Sequence, residues 1–83
     1  MEKKMIESME VQGRPRVYLN PKFVIYVQLE TTQGRGEWNT MNTVHDVFAT
    51  DILGNRIQIL HTEELSEAQQ KVESLNELVL EAN

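Results

Sequence analysis

His45, Asp46, Asp51 and His61 are the residues whose types could hold a metal or move a proton. Two imidazoles and a carboxylate would suit zinc or a similar ion if strands 43–50 and 56–61 pair and bring His45 opposite His61. No His-x-x-x-His spacing stands on a helix, so such a site would depend wholly on cross-strand register. The alternative is a pair of solvated histidines at strand ends. Nucleophilic catalysis needs a serine or threonine beside an oriented base. Ser66 reads as a helix cap and Ser74 lies on the same helix, while Ser8 stands near the N-terminus. None sits on a G-x-S-x-G elbow. Gln33-Gly34-Arg35-Gly36-Glu37 is too short to cradle a phosphate without a helix N-terminus after it, and reads as a surface turn. The chain is therefore expected not to be an enzyme and to need no cofactor.

Two other groups of residues suit binding. Arg14, Arg16, Lys22 and Arg35 are interleaved with Tyr18, Tyr26 and Trp38. Charge alternating with rings is the combination that holds single-stranded nucleic acid. Against that reading, the two tyrosines also suit a core. The charge balance adds an objection: up to His61 the chain has seven acids and seven bases, whereas from Thr62 onward six glutamates face Lys71 alone. An acidic tail disfavours polyanionic partners. Trp38 lies in a polar stretch, where a tryptophan either tucks back onto the sheet, the commoner arrangement, or anchors a protein partner.

These side chains must be positioned by a small body. The 83 residues suffice for one domain, burying about 60% of the unfolded surface and stable by about 5 kcal/mol. The absence of cysteine removes disulfides and thiolate sites, and so points to a reducing, cytoplasmic setting. Charges at Glu2, Lys3 and Lys4 argue against a signal peptide, and no apolar run is long enough for a membrane span.

The C-terminal element is the clearest. Leu65, Ala68, Val72, Leu75, Val79 and Ala82 recur at gaps of three and four, and Leu78 and Leu80 widen the stripe. This predicts an amphipathic helix over residues 62–82, its oily side on a sheet and its glutamates outward. Ser66-Glu67-Ala68-Gln69 matches a capping box, with Thr62 as the alternative start. Upstream, Phe23, Ile25, Val27 and Leu29 alternate with Val24, Tyr26 and Gln28, predicting a strand whose first set is buried. Residues 43–50 and 56–61 predict a hairpin whose turn, Asp51-Ile52-Leu53-Gly54-Asn55, uses Gly54 at positive φ. Residues 17–19 form a short strand stopped by Asn20-Pro21. Residues 1–10 are either a first strand paired with it across Gly13-Arg14 or a frayed arm. Residues 31–42 read as a long loop. The expected fold is α+β: one antiparallel sheet of four to five strands in the order β-β-β-β-β-α, a helix across one face, and a smooth body without a cleft.

In this order the chain resembles the small FlbD-type flagellar (swarming motility) proteins over residues 5–29 and 44–72, about two thirds of its length. The shared features are a turn with glycine and a basic residue (Gly13-Arg14), a strand ending Tyr18-Leu19-Asn20, an apolar strand after it, a glycine-bearing hairpin and a glutamate-rich helix. The segment 31–42 with Trp38 departs from that family's compact form. The resemblance implies the fold order and a small accessory role, with no catalytic residues to carry over. The function expected is a protein-interaction module, with a protein partner or a second copy docking through the helix stripe, an open sheet edge, Trp38 or Leu78. The alternative is a nucleic-acid-binding regulator using Arg14, Arg16, Lys22 and Arg35.

Overall fold

A computed structural model describes residues 5–10, 13, 15–35, 38 and 41–82. The chain is α+β: among the described residues five strands in two antiparallel sheets precede one C-terminal helix. β1 (Ile6–Glu7) pairs with β2 (Tyr18–Leu19), and β3 (Val24–Arg35), β4 (Met41–Asp51) and β5 (Arg56–Thr62) form a meander; α1 spans Leu65–Ala82.

The strands do not make the single sheet that the sequence suggests. Asn20-Pro21 explains the break. Proline has no N–H for a ladder, and Pro21–Phe23 winds into a 3-10 turn whose first backbone N–H, that of Lys22, donates to Asn20 Oδ1 at 3.0 Å. The chain therefore leaves β2 in a new direction before β3 begins. The β1–β2 ribbon stays attached through the Met9 N–H, which donates to the Gln58 carbonyl at 3.1 Å.

A second departure concerns β3. Val24 pairs with Asp51 and Tyr26 with Thr50, leaving Ile25 as an extra residue, a β-bulge. One extra residue exchanges the faces of everything before it. Val24 and, beyond the bulge, Val27 and Leu29 thus share the core side, while Phe23 and Ile25 are 48% and 58% exposed. Strict alternation had put Phe23 and Ile25 inside.

The long loop expected at 31–42 is mostly strand. Thr31 pairs with His45, Gly34 with Asn42 and Arg35 with Met41, so the β3–β4 hairpin runs almost to its tip. Thr31 through Arg35 and Met41 through Thr43 are all exposed. This end of the ribbon extends beyond the helix, and its polar sequence reflects solvent on both sides rather than absence of pairing.

The core is one cluster that draws on every layer. Ile6 and Leu19 come from the ribbon, Val24, Val47, Ala49 and Ile59 from the meander, and Ala68 and Leu75 from α1. The helix lies on all three strands of the meander and on the 3-10 turn. Its stripe is used as expected, with Val72, Leu78 and Val79 packed on the same cluster, except that Leu65 and Leu80 remain exposed. The capping box does not form, because the helix begins one residue before Ser66. Just ahead of the helix the Thr62 hydroxyl makes a local turn, accepting from the Glu64 N–H at 3.0 Å and donating to Glu67 Oε2 at 3.3 Å. No helix among the described residues is long and apolar enough to cross a membrane.

Candidate interaction surfaces

The histidines separate. His45 faces Thr62 across the ladder and His61 faces Asp46, so the two lie at adjacent ladder positions and project from opposite faces of the sheet. His45 is buried, its Nδ1 hydrogen-bonded to Thr31 Oγ1 at 2.9 Å, contrary to a solvated strand end. His61 is on the outer face and donates to Asp46 Oδ1 at 2.6 Å, an oxygen that also accepts from Gln58 Nε2 at 2.7 Å. On that face Arg56 pairs with Glu30 and stacks 3.8 Å from the Phe48 ring centroid. Asp46 and His61 are brought together and His45 is not, so no shared metal centre is built from the three.

The bases separate as well. Arg14 lies outside the described residues. Arg16 is held by Glu7 at 2.8 Å and Glu10 at 3.3 Å, and its guanidinium holds the Glu7 carboxyl below the ordinary carboxylate range. Lys22 sits on the 3-10 turn and Arg35 at the far end of β3. A strand rising roughly 3.3 Å per residue puts the two about 40 Å apart over its 12 residues, close to the 50 Å length of the molecule. Neither tyrosine is a core residue: Tyr18 is 60% and Tyr26 51% exposed.

Trp38 does not tuck back. It is 93% exposed and holds φ at 62°, the left-handed region, alone among the described residues other than glycine. That conformation costs roughly 1–3 kcal/mol in a non-glycine residue and tends to persist where function requires it. Met41, which opens β4 on the return side of the hairpin, is also exposed. Leu78, the other apolar residue singled out for docking, is half-buried against the core and already engaged.

At the opposite end of the hairpin lies a surface that the sequence reading missed. The β4–β5 turn folds as its composition demands. Gly54 takes φ 85°, and Asp51 Oδ1 accepts from the N–H groups of Leu53 and Asn55, both at 2.9 Å. The Ile52 N–H then donates to the Phe23 carbonyl at 2.9 Å, tying this turn to the 3-10 turn. Between them opens an apolar groove of about 430 Å³, lined by Met5, Tyr18, Leu19, Phe23, Ile52 and Leu53, with Asn20 and Asp51 as its polar groups. A smooth body without a cleft was expected; the bulge at Ile25 and the break at Pro21 create the groove by turning Phe23 outward. The available signal was Ile52-Leu53, two large apolar residues in a turn where polar ones prevail.

Asp51 gives this end of the molecule a pH dependence. The Asn55 backbone N–H, more than offsetting partial desolvation, holds its carboxyl below the ordinary aspartate range. A folded-state pKa below the unfolded one adds stability above the unfolded value, about 3.9, and loses it as pH falls through the folded value. Asp51→Asn should therefore lower the urea midpoint at pH 7, with the gap from wild type narrowing below about pH 4. A gap independent of pH would show that the charge is not what the turn uses.

No protein-family model, curated protein or solved structure matches the chain.

Proposed function

We propose that this chain is a non-catalytic protein-interaction module, a small cytoplasmic accessory protein that acts by docking onto a protein partner or a second copy of itself. One observation carries the reading. Apart from Leu65 and Leu80 the helix stripe is consumed by the chain's own sheet, yet large apolar side chains stay exposed at both ends of the β3–β4 hairpin, Trp38 and Met41 at one and Tyr18, Phe23, Ile52 and Leu53 at the other. Grouped exposed apolar residues of this kind are characteristic of binding surfaces, and aromatic anchors contribute most of the energy in such contacts. An accessory role also agrees with the resemblance to FlbD-type flagellar proteins. The nucleic-acid alternative has less support, since Arg16 is neutralised by two glutamates and Lys22 and Arg35 stand at opposite ends.

The test is affinity capture with the full chain, wild type against Trp38→Asp and Leu53→Asp, with circular dichroism to verify folding. The wild type is expected to retain a protein in stoichiometric amount, either a second copy or another chain, and at least one variant to lose it. Equal retention by all three would sink the reading, as would salt-sensitive shifts of DNA or RNA without any protein bound.

A further inference from the structure

We propose that Trp38 of one molecule inserts into the groove between the 3-10 turn and the β4–β5 turn of a second molecule, joining copies of this chain head to tail. The inference rests on the interaction-module reading and names its partner and geometry. The indole and the groove are separated on one chain by the full length of the hairpin, about 40 Å at strand rise, so neither can satisfy the other within a molecule. The groove's 430 Å³ lies within the roughly 300–1,000 Å³ of sites that take small organic groups, and it is apolar where an indole is apolar. Its polar groups suit the remaining atom. Indole offers one N–H donor, and the polar residues of the groove, Asn20 and Asp51, carry acceptor oxygens. Among the described residues Asp51 is the one charged residue that lines the groove.

Charge favours the same docking. Arg35, three residues from Trp38, makes no ion pair among the described residues, and it would arrive beside Asp51. Lys22 stands exposed on the nearby 3-10 turn, so this electrostatic contribution is smaller than the apolar one. The left-handed backbone at Trp38 supplies an independent reason to look for a ligand there. A strained residue that presents its ring to water gains nothing from the strain in the isolated molecule. A contact that joins unlike surfaces leaves a free tip and a free groove at the two ends, so association continues into open chains unless the rotation closes a ring.

Trp38 is the sole tryptophan, which makes it its own reporter. The full chain is followed by tryptophan emission and sedimentation velocity from about 1 μM to about 1 mM, the range of weak single-anchor contacts. The expected result is a blue shift of emission as concentration rises, with species larger than dimers. Trp38→Ala and Leu53→Asp, both exposed and outside the core, should keep the native circular dichroism and each weaken association at least about 30-fold. Mixed in equal amounts, the two variants should form dimers and nothing larger, because the first retains a groove and the second a tryptophan. Undiminished self-association of Leu53→Asp beside a monomeric Trp38→Ala would overturn the proposal in favour of a symmetric tip-to-tip contact, and failure of the mixture to associate would overturn it outright. Undiminished association of both variants alone would overturn it in favour of another surface, leaving the interaction-module reading intact. A wild type that remains monomeric with water-exposed emission throughout would also overturn it, and the capture experiment would then decide that reading separately.

Discussion

Leu75→Ala should destabilise the fold by about 3 kcal/mol, the middle of the range for truncating a buried leucine. Leu75 is 2% exposed and, with Ala68, forms the part of α1 that enters the core cluster. A domain of this size has about 5 kcal/mol in total, so more than half would be removed. The melting temperature should fall by roughly 12–24 °C, at about 4–8 °C per kcal/mol for a small domain. Leu80→Ala on the same helix is the control. Leu80 is 76% exposed, and the cost there should stay within about 0.5 kcal/mol. Thermal and urea melts of both variants give the comparison. Equal, small effects would mean that the helix does not rest on the sheet through Leu75, and the core described above would be wrong.

The contrast between these two leucines also marks how far the sequence could be read. Period and capping preferences predicted a helix with a buried stripe, and Leu75, Val72 and Val79 lie where a 3.6-residue repeat puts them. Leu80 widened the stripe on paper but projects into solvent, because three strands and a short turn do not cover its side of the helix. Gly54 at positive φ and the stop at Asn20-Pro21 were legible for the same reason: each follows from one residue's own backbone chemistry. What could not be read was decided between strands. The bulge at Ile25 depends on how β3 registers against β4, and nothing local in Phe23-Val24-Ile25-Tyr26 announces it. The hairpin through Gly34 and Asn42 is held by backbone pairing with solvent on both faces, so the side chains carry no period-two signal. His45 and His61 were separated by a single step of ladder register, the quantity that sequence leaves open. For the candidate site the outcome was mixed. Trp38 was singled out as a residue to weigh, but its exposure ran against the commoner arrangement, whereas the groove arises from two irregularities acting together and was invisible one residue at a time.

The N-terminal ribbon gives the sharper experiment, since its sequence suited either a strand or a frayed arm. Ile6→Ala should cost about 3 kcal/mol, as expected for a buried isoleucine, and the loss should be global. Ile6 is 2% exposed, pairs with Leu19 across the ribbon and belongs to the same cluster as Val47 and Leu75. The ribbon is fastened on both sides. The Ser8 N–H donates to the Val17 carbonyl at 2.8 Å while Ser8 Oγ accepts from the Val17 N–H at 2.8 Å, and Met9 bonds to Gln58. Removing the Ile6 side chain should therefore shift the unfolding of helix and sheet alike, with one coincident transition by far-ultraviolet circular dichroism and by calorimetry. Hydrogen exchange should accelerate in the Val47 and Ala49 region as much as in the ribbon. An arm that merely lay against the surface would behave otherwise: the melting point would move by less than about 0.5 kcal/mol's worth, and faster exchange would be confined to residues near Ile6. That second outcome would also undermine the groove, because Met5, Tyr18 and Leu19 line it only while the ribbon is held in place.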